Sequence, residues 1–364
     1  MHSSETENIR KNAPAADNAL VENLPENTGA GEKTDTRSWN RGLVTLLSLA
    51  AVAVVLIVLN LALYPCTFMR NDVHTISTEQ RDVVIMGTSC GKMGIDPDAL
   101  LAGTGFTGHN LCVGGEYPTD AYYLMQLALE KQDPKMVIYE IDPGYFMGQK
   151  EVGNNYLLFY HEFPMGKTKL AYFMDLLKEH DFRTLFFPYY EYPLQSSLPR
   201  VKDTLYQRLT GNYDVSYLKG QVLEYHESGF LEHRPVAQEN FPAANHVVFD
   251  AESIAPENVE YLEKLIALCK EKGIYFIAVS MPMPEETLAA DAESLDKAWT
   301  YFSEFMREQQ VPYLNFNAEF APAYSHRADH FVDYDGHLNG DSAREFSGIL
   351  GSILVNNNLL PARS

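Results

Sequence analysis

The stretch Asp82-Val83-Val84-Ile85-Met86-Gly87-Thr88-Ser89 decides the fold. Four consecutive apolar residues between a charge and a glycine read as a short strand buried on both faces, because a strand with one wet face would alternate. The pattern returns at Lys135-Met136-Val137-Ile138-Tyr139-Glu140-Ile141-Asp142-Pro143-Gly144, at Tyr275-Phe276-Ile277-Ala278-Val279-Ser280 and at Val311-Pro312-Tyr313-Leu314-Asn315. Among these strands lie segments with apolar residues at helical spacing: Thr119 to Lys131, Val259 to Lys272 with Gly273 as its stop, Ser294 to Gln309, and Ser342 to Val355. Strand and helix in alternation predict an α/β fold, a parallel β-sheet sandwiched by helices.

Residues 145–250 interrupt this rhythm. They are crowded with Tyr, Phe and Pro, as in Phe186-Phe187-Pro188-Tyr189-Tyr190-Glu191-Tyr192-Pro193, and read as an insertion subdomain packed on the sheet or as a lid over a cleft. Upstream, residues 42–64 carry no charge, and Asn60 is the one strongly polar side chain among them. About 23 residues at ~1.5 Å each cross a hydrocarbon core of ~30 Å with some tilt. A cleaved signal peptide has a shorter apolar core, and a core helix of a globular domain is amphipathic, so a transmembrane helix is the expectation. Residues 1–41 are rich in Glu, Asn, Ala and Ser and nearly free of large apolar side chains, the composition of a disordered tail. Arg37 and Arg41 precede the span, whereas Arg70 follows it with Asp72 and Glu79 nearby. The bias predicts a cytoplasmic N-terminus and a domain at 65–364 on the far side of the membrane.

The 28 Lys and Arg against 49 Asp and Glu give a net charge of −21, which argues against nucleic acid as a partner. It also disfavours broad adhesion to anionic lipid, leaving the helix to do the anchoring. Cys66, Cys90, Cys112 and Cys269 are too few for a disulfide framework and lack C-x-x-C spacing, so no zinc site is expected. Leu63-Tyr64-Pro65-Cys66 loosely resembles a lipoprotein processing site, but Tyr and Pro are poor residues there and the preceding tail is too long.

In open parallel sheets, ligands meet the loops at the carboxyl ends of the strands. Three such loops carry candidates. After the first strand, Gly87-Thr88-Ser89-Cys90-Gly91-Lys92-Met93-Gly94 turns sharply; either Thr88 or Ser89 caps a helix, or the Ser89 hydroxyl stands exposed beside amides that stabilise negative charge. Asn110-Leu111-Cys112-Val113-Gly114-Gly115 is a tight turn or a place of close backbone approach to a substrate. Asp333-Tyr334-Asp335-Gly336-His337-Leu338-Asn339-Gly340 places a histidine among carboxylates, which a hydrolytic serine needs and a surface turn also tolerates. His326 and His330 with Asp333 fall short of a full metal-ligand set.

In this order, the three loops resemble the SGNH (GDSL-like) hydrolase superfamily, in particular its membrane-anchored cell-envelope branch. That branch includes the D-alanyl transfer protein of teichoic acid modification and alginate O-acetylation proteins. The resemblance covers roughly 80–142 and 255–355 and implies a flavodoxin-like fold. It implies Ser89 as nucleophile, His337 in its His-Leu-Asn setting as general base, and the amides of Ser89 and Gly114 as the oxyanion hole, with Gly115 the lesser choice for the glycine. No cofactor and no metal are implied. Two departures stand out. The aspartate expected three residues before the histidine is Tyr334, so Asp335 or Asp333 must serve, with Asp335 preferred because Gly336 lets its loop fold back. The asparagine expected after the second block is replaced by Glu140-Ile141-Asp142-Pro143. Cys90 is a competing nucleophile only if its thiol pKa is lowered.

The expected function is therefore a serine-dependent esterase or O-acyltransferase acting on a cell-envelope polymer, an envelope polysaccharide or a teichoic-acid-like, lipid-linked glycan. The resemblance implies a membrane-bound O-acyltransferase as partner. The alternative is a scaffold or binding protein that kept the fold and lost turnover; a plain sensor or adhesion ectodomain would leave the serine and histidine loops coincidental.

Overall fold

The computed structural model describes residues 36–148, 159–177, 183–186, 194–246 and 248–361. The chain divides into two units, Met1–Ala53 and Val54–Ser364. Helix α1 (Thr36–Leu63) runs through the boundary. Within it, Arg41–Leu63 is 23 residues long and apolar enough to cross a membrane, with side chains such as Leu46 and Leu49 exposed rather than packed.

In the second unit the expected sheet is present. Strands β1 (Val83–Met86), β2 (Gly108–Asn110), β3 (Met136–Glu140), β6 (Tyr275–Ser280) and β7 (Tyr313–Asn315) form one parallel sheet in the order β2-β1-β3-β6-β7. Counted within this sheet the order is 2-1-3-4-5, so the chain reverses direction of winding between β1 and β3, where ligands bind in such folds. The four residues of β1 are fully buried: Val84 and Met86 join the core on one face, and Val83 and Ile85 that on the other. That two-sided burial explains the unbroken apolar run. Helices α4 (Pro118–Leu129) and α7 (Pro256–Lys272) pack on the first face, together with α8 (Ala292–Glu308). In α8 the buried residues Leu295, Ala298, Phe302 and Met306 form a stripe at helical spacing. The last helix, α9 (Gly340–Asn356), covers the second face with Phe346, Leu350 and Leu354.

Two elements depart from the sequence reading. Between α1 and Asp82, where the sequence reading names no element, lies helix α2 (Phe68–Thr78), separated from α1 by the four residues 64–67. Its polar side chains hid it, because they are buried by pairing rather than exposed. Asp72 accepts from Lys92 Nζ at 2.9 Å and Tyr225 Oη at 2.6 Å, and lies 2.9 Å from His109 Nε2. Burial alone would raise the Asp72 pKa, but Lys92, His109 and Tyr225 hold it below the usual value. Lys92 sits on helix α3 (Ser89–Gly94), so this cluster joins the helix that follows α1 to the helix after β1. Replacing Asp72 by alanine leaves a buried ammonium without its counter-charge and should cost about 3–5 kcal/mol; thermal unfolding of the full chain in detergent checks this as a lower Tm. The second departure is β2, hidden because only three residues, Gly108-His109-Asn110, pair before the glycine turn.

Cys66 is buried and free, as are Cys112 and Cys269. Of the insertion, the described residues form α5 (Lys167–Leu176), α6 (Val201–Thr210) and the hairpin β4 (Leu223–Tyr225) with β5 (Leu231–His233). The hairpin packs beside β2, where Asn110 N donates to Ser228 O at 2.8 Å. The quoted run at 187–193 lies outside the described residues.

Candidate active site

β1 stops one residue short of β3: Met86 pairs with Tyr139, and β3 runs on to Glu140. The chain leaving β1 must then turn within one residue, and Gly87 does so at φ +139°. A Cβ there would stand 2.6 Å from Glu140 Cβ, so no other residue fits without displacing β3. The turn delivers Thr88 to the position before α3 and Ser89 to its first residue. Thr88 makes no side-chain cap to the helix, and Ser89 points its hydroxyl away to the last loop of the fold. Ser89 Oγ lies 2.8 Å from His337 Nε2, across 248 residues of sequence.

The loop holding His337 is shaped by Asp333. One carboxylate oxygen, Oδ1, accepts the backbone amides of Asp335 at 2.9 Å and His337 at 3.2 Å; the other, Oδ2, lies 2.6 Å from His337 Nδ1. Asp335, preferred from the sequence, does not reach the ring. Its carboxylate instead accepts the Asn245 amide at 3.1 Å and Asn245 Nδ2 at 2.7 Å. The preference failed because Gly336, at φ +97°, turns the chain so that a carboxylate four residues back meets the imidazole. Tyr334, three residues back, directs its ring to Phe241, 5.2 Å away between centroids. Leu338 is buried, and Asn339 caps α9 by accepting Ser342 N at 3.1 Å.

The charges set the tautomer. Shielding from water raises the Asp333 pKa, but hydrogen bonds from His337 and the loop amides outweigh it and hold the carboxyl below its ordinary value. An ionised Asp333 only accepts, so His337 Nδ1 carries the proton and Nε2 offers its lone pair to the Ser89 hydroxyl. For His337, burial disfavours the charged ring, yet the hydrogen bond and charge of Asp333, with Asp335 and Asp142 behind it, raise its pKa above normal. A base acts only when neutral, so Ser89 reactivity should be lost as pH falls through this raised pKa. The acid limb of the acylation rate is expected at a midpoint above ~6.5. Asp333→Asn should move it down; a pH profile of acylation by an activated ester measures both.

Gly114 packs directly on the serine: a Cβ there would lie 3.5 Å from Ser89 Cβ and 3.8 Å from its Oγ. Gly115 follows at φ +84°. The Cys90 thiol donates to Asp335 O at 3.5 Å, and its pKa is pushed well up by loss of water and by the charges of Glu140, Asp142, Asp333 and Asp335. A thiol held protonated is a poor nucleophile, so Ser89 is the better candidate. His326 and His330 turn elsewhere, to Met283 O at 2.8 Å and to Tyr324 Oη at 3.2 Å.

Beneath the serine lie two carboxyls that the sequence reading registered only as a missing asparagine. Glu140 Oε2 accepts Thr88 N at 2.6 Å, and Asp142 Oδ2 lies 3.5 Å from Thr88 Oγ1. Burial, reinforced by the Asp142 charge, pushes Glu140 up to about 8, so it holds a proton at neutral pH. A glutamate closing an otherwise apolar strand was the available signal. A cleft of about 320 Å³ opens from Ser89 and His337, walled by Tyr145, Met281, Met283, Trp299 and Asn245 among others. Asn245, from the insertion, both lines the cleft and fixes Asp335.

No family model matches the chain, and no curated protein matches it. Among solved structures, a candidate acylhydrolase from Bacteroides fragilis aligns over 80% of this chain and 96% of its own at 9% identity, with a TM-score of 0.35. A GDSL-like lipase from Bacteroides thetaiotaomicron aligns over 78% and 90% at 10% identity, with a TM-score of 0.33. At such values the chemistry of this chain is read from its own geometry.

Proposed function

We propose that the chain is a membrane-tethered serine esterase or O-acyltransferase of the SGNH type. The observation that carries this reading is the hydrogen-bonded relay from Ser89 through His337 to Asp333 at the mouth of a cleft. In the first step Ser89 Oγ attacks an ester carbonyl, its proton passes to His337 Nε2, and the carbonyl oxygen becomes an oxyanion beside the amides of Ser89 and Gly114. Collapse breaks the bond to the leaving alkoxide, which takes the proton from His337 and departs as an alcohol. Acyl-Ser89 is then released to water or to a second hydroxyl, with His337 again acting as base. Asp333 holds the tautomer throughout.

The setting favours an acceptor at the membrane. Only four residues separate α2 from the apolar helix, so a cytoplasmic N-terminus and a domain held against the opposite leaflet form part of the proposal. The charge bias supports it: Arg37 and Arg41 precede the span, whereas Arg70 after it is buried, donating to Gln207 O at 3.2 Å and lying 3.9 Å over the Tyr213 ring. A lipid-linked glycan, envelope polysaccharide or teichoic-acid-like polymer fits this placement, with a membrane-bound O-acyltransferase supplying the acyl group. One observation favours the scaffold alternative: Glu140 and Asp142 follow β3 where the resemblance expects an oxyanion asparagine, and both carboxyls are engaged with Thr88. Mixing the full chain in detergent with 4-nitrophenyl acetate separates the two. The enzyme releases a burst of nitrophenol stoichiometric with protein, and absence of a burst overturns the catalytic reading.

A further inference from the structure

Helix α5 presents the wrong face to water. Its buried side carries Thr168, Tyr172 and Leu176, as expected for a helix packed on a core. Its outward side should be polar. Instead Leu170, Met174 and Leu177, spaced by four and three residues, are 62%, 54% and 43% exposed, and Met165 just before the helix is 90% exposed. On α6, Tyr206 and Leu209 are 60% and 73% exposed, beside the exposed Lys202 and Asp203 at the start of the same helix, a mixed face of the kind that suits a headgroup layer.

These side chains are attached to the end of the apolar helix. Phe173 of α5 meets Phe186 edge-on with centroids 6.3 Å apart, and the Phe186 carbonyl accepts Asn60 Nδ2 at 3.3 Å. Asn60 is the polar residue of the span, and a donor near hydrocarbon needs a partner. On α6, Arg208, adjacent to Leu209, donates to Tyr64 O at 3.3 Å and to Glu162 at 3.0 Å. The neighbouring His161 ring stands edge-on to Tyr64 at 5.5 Å. The exposed apolar stripe is therefore continuous with the C-terminal end of the span itself.

We propose that the outward faces of α5 and α6, with Phe186, lie in the headgroup and upper acyl region of the same bilayer that α1 crosses, as a second, monotopic contact. This rests on the reading of α1 as a membrane span. Apolar side chains beside a span's exit meet lipid first, and their burial there is favourable in proportion to area. A single flexible anchor would leave the cleft free to tumble; two contacts fix its height above the membrane.

The test uses the full chain with Trp39 and Trp299 replaced by phenylalanine, reconstituted at about one copy per vesicle in phosphatidylcholine with acyl chains brominated near the headgroup. One tryptophan is introduced at a time: Leu170→Trp, Leu209→Trp, Val52→Trp within the span, and Val355→Trp on α9. The proposal expects Leu170→Trp and Leu209→Trp to lose about half or more of their emission relative to unbrominated lipid, with Val355→Trp unchanged. If Val52→Trp is quenched and the two insertion sites are not, the second contact is refuted while the anchor stands. Blue-shifted but unquenched emission at those sites means that protein, a second copy or a partner, covers the face, and equally refutes it. If Val52→Trp is unquenched, the span reading falls and takes this inference with it.

Discussion

Ser89→Ala removes turnover of activated esters by on the order of 10⁴–10⁶-fold, leaving the residual rate that binding and oxyanion donors give without a nucleophile. The loss should be confined to chemistry. Ser89 is half-buried, and the described hydrogen-bond partner of its hydroxyl is His337. The variant should therefore keep its Tm while its nitrophenol burst disappears. A variant that retains the burst would transfer the nucleophile elsewhere, and Cys90 is a poor heir because its thiol is held protonated by its surroundings.

The two aspartates should separate sharply. Asp333→Asn keeps the size of the side chain but replaces a charged acceptor of His337 Nδ1 with an amide, which favours the wrong tautomer and removes the charge that stabilises the imidazolium. A drop in the acylation rate of about 10³–10⁴-fold is expected. Asp335→Asn keeps a side-chain acceptor for the Asn245 amide and leaves the relay untouched, so the rate should change less than about tenfold. Single-turnover kinetics on both variants measure the ratio. Equal losses would mean that Asp335 acts on the ring in a conformation other than this one.

Much of the sheet was legible because burial on both faces writes itself as unbroken apolar runs. Val83–Met86, Met136–Glu140 and Tyr275–Ser280 needed no tertiary knowledge, and the glycine closing β1 marked the turn that aims Ser89. Part of what stayed hidden has one cause: polar groups that are buried by pairing look solvated in a sequence. Asp72 entered the sequence reading only as a charge after the apolar stretch and Lys92 only as a loop residue, and α2 stayed hidden with them. The choice between Asp333 and Asp335 depended on the φ of Gly336, which sequence spacing does not encode. Glu140 and Asp142 were visible as residues but not as two buried carboxyls meeting Thr88 beside Ser89. The outward stripe of α5 is written in the spacing of Leu170, Met174 and Leu177, but the surrounding Tyr, Phe and Pro read equally as a packed subdomain or a lid.

Incubating the full chain with a fluorophosphonate at neutral pH and locating the adduct by tandem mass spectrometry bears most directly on the relay. A phosphonyl group on Ser89 that forms in the intact protein and fails to form in His337→Ala is the predicted result. An adduct on Cys90, or labelling of Ser89 at the same rate without the imidazole, would contradict it.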